Sequence, residues 1–534
     1  MKTYKKIFTL FTGIALVLSM FTLQSCDIKS PVEGVTVRIK NIPRTTSVRV
    51  EFIDQNVGQV VSAPITVTFS GINGSKIIST TNQVITTATT SNGILNFAVA
   101  DDVTPSVNSP VEFVMVVKSA NYLSTSKRIL VTKPGANAFT INMLNFNSSS
   151  MPAGVSTNAN SNAGTASSAG TTAPIIASSS ASGTGVNARV SVPAGTVLKD
   201  ANGNVLSGTV ATRVTYFDAT QPASVATFPG GFAIRDDQNN VGNFVTAGFA
   251  AINMSVGGVE VESFSQNVTV EIDINSNTRN PETGTTVKSG DQIPLWSYNE
   301  NTGEWKNEGT YTVASADGKL SIRKTNMTHL SWWNMDWFYD GCYTTQVKIA
   351  VEGGCWQWLY LVAEFTQESG YLYTGYIYAY DPVVSLMNVP DNRPVRIKAF
   401  QNWNDYYQYY YYGTDNSVGT LDVADLCQDQ EITYTLQAEA NATGDNIDVY
   451  VRGVCPNGNI LDEGTLDVEI LKDGIWQLAG RIVDGYIRIN CLQIGQEYSF
   501  RVYYDGEYYQ EDYTVTSTSE NIDIDLPGDN EFCE

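Results

Sequence analysis

The sequence predicts an all-β protein, a string of antiparallel β-sandwich domains joined by a flexible Ser/Ala/Gly/Thr-rich linker. Short runs rich in β-branched and aromatic residues, each bounded by turn residues, recur along the chain. No stretch after the N-terminal apolar run sustains a helical period over three turns. The order strand, turn, strand, short loop, strand also occurs three times, as in a chain built from related sandwiches. At 534 residues, the chain has room for several domains.

Taken in order, the first strands are Val35 to Ile39, Val48 to Phe52, Ile65 to Phe69, Val111 to Val117 and Ala138 to Leu144. Residues 145–187 change character: Ser, Ala, Gly, Thr and Asn dominate, and large apolar side chains are scarce. Such a segment buries too little surface to offset its chain entropy and reads as a linker. In the C-terminal region QVKIAVEGGC (Gln346 to Cys355) matches NIDVYVRGVC (Asn446 to Cys455). RPVRIKAF, a tyrosine-rich run and VGTLDVADLC then match QEYSFRVYYDGEYYQEDYTV followed by ENIDIDL. The N-terminal version is SPVEFVMVV, YLSTSKRILV and ANAFTINML. The resulting division is a leader (1–25), a tether (26–33), a first sandwich (34–144), the linker (145–187), a distinct middle β domain (188–338), two sandwich repeats (339–430 and 431–527) and an acidic tail (528–534).

This repeat resembles the carboxypeptidase regulatory-like and transthyretin-like β-sandwiches of Bacteroidota surface lipoproteins. The middle domain carries an ordered set of motifs: VPAGT at 192–196, TFPGGF at 227–232, IPLWSYNENTGEWKNEGTYTV at 293–313 and HLSWWNMDW at 329–337. That set is similar to the extracellular module of cartilage intermediate layer proteins, which implies a β-rich extracellular domain without catalysis. The residues themselves predict a hairpin pairing 294–298 with 304–308 through cross-strand aromatics. Trp332, Trp333 and Trp337 supply large buried area. His329 reads as a structural hydrogen-bonding residue beside them, because it is the sole histidine and has no nearby cysteine partner.

QNWNDYYQYYYYG (401–413) holds six tyrosines and a tryptophan. Read as the second strand of its repeat, it places Tyr407, Tyr409 and Tyr411 on one face and Tyr406, Tyr410 and Tyr412 on the other. A scaffold strand with a wet outer face is favoured, since tyrosine is a strong β-former that tolerates half-burial. The alternative is an aromatic ligand platform for sugar or peptide, formed by Trp403, Tyr406, Tyr407, Tyr409, Tyr410, Tyr411 and Tyr412.

The N-terminus combines a basic start (Lys2, Lys5, Lys6) with an apolar run from Ile7 to Leu23, the layout of a secretory signal. Leu23-Gln24-Ser25-Cys26 resembles the lipobox of bacterial lipoproteins, which implies cleavage before Cys26 and attachment of a diacylglyceryl (and palmitate-bearing) anchor to its thiol. The expected partner is therefore a membrane, the outer one, held through the lipid on Cys26. The protein would face the cell surface or the periplasm. Loss of residues 1–25 removes three lysines and no acid, taking the net charge from −22 to −25. Such acidity argues against nucleic acid and anionic lipid as partners.

Six further cysteines, Cys342, Cys355, Cys427, Cys455, Cys491 and Cys533, are confined to the C-terminal part of an exported chain. That pattern suggests disulfides of undetermined connectivity. No C-x-x-C spacing, nucleophile elbow, phosphate loop or dinucleotide fingerprint occurs, so no catalytic residue, metal or cofactor is expected. Asp200 to Asn204 reads as a hairpin turn rather than a calcium loop. The expected function is that of a non-enzymatic adhesion, ligand-capture or envelope-structural lipoprotein, its partner a glycan or another surface protein. The alternatives are a glycan-binding accessory protein of a polysaccharide-uptake system and, less favoured, a glycoside hydrolase.

Overall fold

A computed structural model describes residues 45–525, apart from 80–82, 181–184, 301, 342–344, 353–357, 368, 379–381, 387–388, 429–430, 438–443, 459, 462–464, 473, 484 and 505–506. The leader, Cys26, the strand expected at 35–39, Cys342, Cys355, Cys533 and the acidic tail lie outside the described residues. Nearly everything described belongs to one compact unit, 43–453 with 460–524. The other unit is 1–42, 454–459 and 525–534.

The first domain contains strands β1 (Thr46–Asp54), β2 (Ile65–Ser70), β3 (Thr87–Thr90), β4 (Ile94–Val99), β5 (Val111–Ser119), β6 (Thr125–Val131) and β7 (Gly135–Met143). β1 pairs antiparallel with β4 and parallel with β7, while β3-β2-β5-β6 form the facing sheet. Apolar side chains alternate inward from both sheets, among them Val48, Val50 and Phe52 against Val67, Phe69, Phe113 and Met115. This is the period-two burial that the sequence predicts for these runs.

The same seven-strand topology recurs twice. In the third domain the strands are β18 (Thr345–Glu352), β19 (Trp358–Phe365), β20 (Tyr371–Tyr378), β21 (Val383–Leu386), β22 (Val395–Phe400), β23 (Gly419–Val423) and β24 (Glu431–Gln437). Here β18 pairs with β21 and, in parallel, with β24; β20-β19-β22-β23 form the other sheet. The last domain contains β25 (Asp445–Val454), β26 (Thr465–Lys472), β27 (Ile475–Val483), β28 (Tyr486–Leu492), β29 (Glu497–Tyr504), β30 (Glu507–Thr514) and β31 (Ser519–Asp525). Its pairings, β25 with β28 and β31 and the path β27-β26-β29-β30, repeat the plan.

Two expectations are corrected by this register. VGTLDVADLC supplies the sixth strand of its repeat, β23, not the seventh. The seventh is EITYTLQ, β24, so 431–437 belong to the third domain and the boundary placed at 430/431 moves. The shift follows from the second correction. The tyrosine run between β22 and β23 is not a strand but a helix, α2 (Trp403–Tyr412), inserted where the first domain connects its fifth and sixth strands through residues 120–124.

The sequence predicts a flexible linker over 145–187, yet these residues supply strands to both sheets of the middle domain. β8 (Val155–Ser167) pairs along β11 (Gly208–Phe217), and β9 (Ile175–Ser178) pairs with β10 (Ala188–Val192). Composition misleads because β8 is largely exposed and gains its place from backbone pairing, with only Val155, Ser156 and Ala166 buried along it. A ladder satisfies backbone donors and acceptors whatever the side chains are.

The rest of the middle domain comprises α1 (Pro222–Val225), β12 (Val241–Val256), β13 (Ser263–Ile274), β14 (Gln292–Asn299), β15 (Glu304–Thr312), β16 (Lys319–His329) and β17 (Trp332–Asp340). Pairing runs from β12 through Ala233–Asp236, β15, β14 and β17 back to β12, closing a small barrel. Phe244 lies 5.0 Å from Trp296 and 5.3 Å from Trp305, centroid to centroid. The predicted hairpin is present: Tyr298 opposes Trp305 with ring centroids 4.6 Å apart. Trp332, Trp333 and Trp337 are buried, and His329 sits at the edge with its ring 5.3 Å from Trp333. Limited proteolysis of the folded protein is expected to leave 155–178 intact. First cleavage within that stretch would show it to be a loose tether.

Candidate functional site

The helix α2 follows from its sequence once its period is read at 3.6. Trp403, Tyr406, Tyr407, Tyr410 and Tyr411 fall at i, i+3, i+4, i+7 and i+8, one face of a helix. Asn402 caps it by accepting from the Asp405 backbone N–H at 2.9 Å, and Asp405 returns a carboxylate to the Asn402 side chain. Gly413 ends it in the left-handed region at φ 72°, donating its N–H to the Tyr409 carbonyl at 2.9 Å. These two caps are legible in NWND and YYG, and outweigh the strand propensity of tyrosine.

The correction also overturns the two ring faces expected of a strand. Tyr406, Tyr410 and Tyr411 are buried, and Tyr412 alone of the set is strongly exposed, at 62%. Tyr406 packs on Tyr360 at 5.2 Å, Tyr410 on Tyr371 at 5.1 Å, and Tyr407 on Tyr411 at 4.2 Å. Trp403 donates its indole N–H to the Gly58 carbonyl at 2.9 Å, and Tyr411 donates to Asn142 at 3.2 Å. Tyr409 donates its hydroxyl to Glu364. A Cβ at Gly58, itself at φ 65°, would lie 2.0 Å from the Tyr407 ring, so only glycine admits the contact. The rings thus bind the third domain to the first and are not laid out as an open platform.

What the rings help enclose is a cavity of about 220 Å³. Its walls come from β6 and β7 of the first domain, the segment 225–232 of the middle domain, and β20, β21 and Tyr410 of the third. TFPGGF makes the middle wall. Phe228 and Phe232 stack at 4.3 Å, and Gly230 donates its N–H to the Ser126 carbonyl at 2.7 Å. Gly230 has φ 77°, and a Cβ there would meet the Tyr298 hydroxyl at 2.7 Å. The motif is visible in the sequence, but its role depends on the first domain docking against it, which the motif alone does not encode.

The polar groups of the cavity are distinctive. Lys127 donates to the Thr140 carbonyl at 2.7 Å, and burial pulls its pKa down to about 8. Arg128 grips Glu112 through Nε and Nη2, both at 2.7 Å, while its buried Nη1 has no partner among the described residues. Arg235 of the middle domain joins the same carboxylate at 3.0 and 2.9 Å. Burial works to raise the Glu112 pKa, but the bonds and charges of Arg128 and Arg235 outweigh it and hold the carboxyl at about 2.

Other candidates resolve into structure. The Asp200 carboxylate accepts from Asn202 N, Asn204 N and the Asn204 side chain, closing the hairpin turn expected there. Asp391, Asp425 and Cys427 bring oxygen and sulfur atoms within 4.8 Å of one another. Asp425 is already engaged by the Cys427 N–H and the Gln428 side chain, and the Cys427 sulfur lies 3.3 Å from the Val389 carbonyl oxygen. Cys455 is buried just after β25, and Cys491 lies in β28 with φ 64°.

No family model matches the chain, and no curated protein matches it. Among solved structures, a Streptococcal ancillary pilin is 11% identical over 46% of this chain and 95% of its own, with a TM-score of 0.13. The Bacillus anthracis TIE protein is 9% identical, covering 88% and 69%, at 0.14. BcpA, the major pilin subunit of Bacillus cereus, is 9% identical, covering 90% and 98%, at 0.14. Likenesses at these TM-scores carry no argument about what this chain does.

Replacing Tyr406 or Tyr410 by alanine is expected to destabilise the protein by about 3–5 kcal/mol. Tyr412→Ala should stay within about 0.5 kcal/mol, both read by denaturant unfolding. The Glu112 carboxyl has a depressed pKa, so its contribution is full above its ordinary value of 4.5 and is lost as pH falls towards about 2. The stability difference between wild type and Glu112→Gln should therefore shrink across that window in acid melts.

Proposed function

We propose that the chain is a non-enzymatic envelope protein, anchored to the outer membrane through a lipid on Cys26, whose fused β domains hold a ligand-capturing cavity. The observation that carries the capture reading is the cavity walled by three domains at once, with ring faces and the Lys127 ammonium meeting in it. The anchor rests on the leader and on Leu23 to Cys26.

A glycan is the favoured ligand class over a protein segment. Tyr371, Tyr373, Tyr376 and Tyr410 alternate in the walls with Thr and Ser hydroxyls, which suits the apolar faces and hydroxyl edges of a sugar. Among the described lining residues there is no Asp or Glu, so the carboxylate pair that sugar hydrolysis uses has no support at this place. The threefold seven-strand plan supports the resemblance to regulatory-like sandwiches. The TFPGGF wall and the aromatic region from Trp296 to Trp337 support the likeness of the middle domain to the cartilage intermediate layer module only as patterning.

We also infer that the six C-terminal cysteines are paired. Export, even number and the engaged state of Cys427, Cys455 and Cys491 support this. Two measurements test the reading. Cys26→Ser should move the protein out of the detergent phase or leave its precursor uncut, whereas unchanged partitioning would contradict the anchor. Thiol titration of the denatured, unreduced protein should find few free groups, and six reactive thiols would contradict the pairing.

A further inference from the structure

We infer that the three-domain cavity is a site for one acidic sugar ring, its carboxylate or sulfate held by Lys127. This rests on the capture reading and specifies its ligand. The chain carries 54 acidic residues against 32 basic ones, yet the charged groups among the described lining residues are Lys127, Arg128 and Lys133 alone. A cavity of that sign in so acidic a protein is not explained by general surface charge.

The donors are placed for an anion. Lys127 carries three N–H groups and uses one on Thr140, leaving two beside the cavity. Arg128, the next residue along β6, turns to the opposite face and commits Nε and Nη2 to Glu112, so Lys127 is the donor on the cavity side. Glu112 is shared between Arg128 and Arg235, so one carboxylate faces two guanidiniums and the local charge stays positive.

Size and walls select the rest of the ligand. About 220 Å³ falls below the roughly 300–1,000 Å³ of sites for drug-sized molecules, so one ring fits and a chain does not. Phe228, Phe232, Tyr371 and Tyr410 offer apolar faces, while Thr132, Thr374 and Ser385 offer hydroxyls.

The pH dependence follows from the groups around Lys127. On its own strand and just beyond it these are Arg128, tied to Glu112, and Lys133. β7 presents Thr140 and Asn142, and the segment 225–232 presents no titratable side chain. β20 presents Tyr371 and Tyr373, whose pKa values burial raises far above neutrality, together with Tyr376; Tyr410 is pushed up to about 12. Lys127, at about 8, is thus the group whose charge changes between pH 7 and 9.

The test is calorimetric titration of the full, purified protein with D-glucuronate, D-galactose 6-sulfate, D-glucose and D-glucosamine. At least one acidic sugar should bind tenfold or more tightly than glucose, with no heat from glucosamine. Its affinity should fall severalfold from pH 7 to pH 9, while glucose shows no such change. Lys127→Met should abolish the preference for the acid. Because that variant leaves the Thr140 carbonyl unpaired, the wild-type pH series stands as the independent arm. Equal affinity for glucose and both acids, an acid affinity unchanged by pH, or no binding of either acid at millimolar concentration would overturn the proposal. Membrane partitioning of Cys26→Ser is unaffected by any of these outcomes, and binding of glucose alone would preserve ligand capture while removing the anion.

Discussion

Burial of the α2 rings is the constraint on which the described unit depends. A helix of ten residues carrying six tyrosines and a tryptophan between Asn402 and Gly413 would be marginal alone, because nucleation is costly and aromatic residues are indifferent helix formers. It persists because its rings have somewhere to go. At 150–250 Å² per aromatic side chain and roughly 25 cal/mol per Å², each buried ring contributes about 4–6 kcal/mol before ordering entropy. One apolar cluster runs from Leu123 and Leu144 through Phe217, Phe228 and Trp305 to Tyr360, Phe400 and Tyr406, and on to Ile447, Ile470 and Val515. All four domains contribute to it.

Polar contacts reinforce the same joining. Arg49 of β1 pairs with Glu469 of β26, and Ser47 donates to Asp467 at 2.7 Å. The Arg501 guanidinium stacks over Trp476 and Tyr508 at 4.3 and 4.0 Å, while Asn96 donates to the Tyr508 hydroxyl at 2.9 Å. Glu469 has two arginines as partners, so its burial is compensated. These bonds specify register between the first and last domains, while the α2 rings join the third domain to the first. The cavity lies where the first, middle and third domains meet: β6, the glycine turn at 230–231 and β20 leave space beside Lys127.

Much of the fold is legible in the sequence. β1, β2, β5 and β7 lie on the runs that their alternation marks, and the Tyr298–Trp305 hairpin and the buried tryptophans stand where they are expected. What fails does so for physical reasons. In QNWNDYYQYYYYG a strand and a helix both explain the tyrosines locally, and the deciding signals are the Asn402 and Gly413 caps. In 145–187 the side chains are too small and polar to announce β8, whose stability comes from the neighbouring backbone of β11. The cavity is illegible because Lys127, Gly230 and Tyr371 are far apart in the chain and each looks ordinary in its own segment.

The central claim is that these domains form one cooperative body joined through α2, not independent modules on a string. Differential scanning calorimetry of the wild-type protein under reversible conditions addresses it most directly. The account predicts a single main transition whose van't Hoff and calorimetric enthalpies agree. Several resolved transitions, each with the enthalpy of one sandwich, would contradict it.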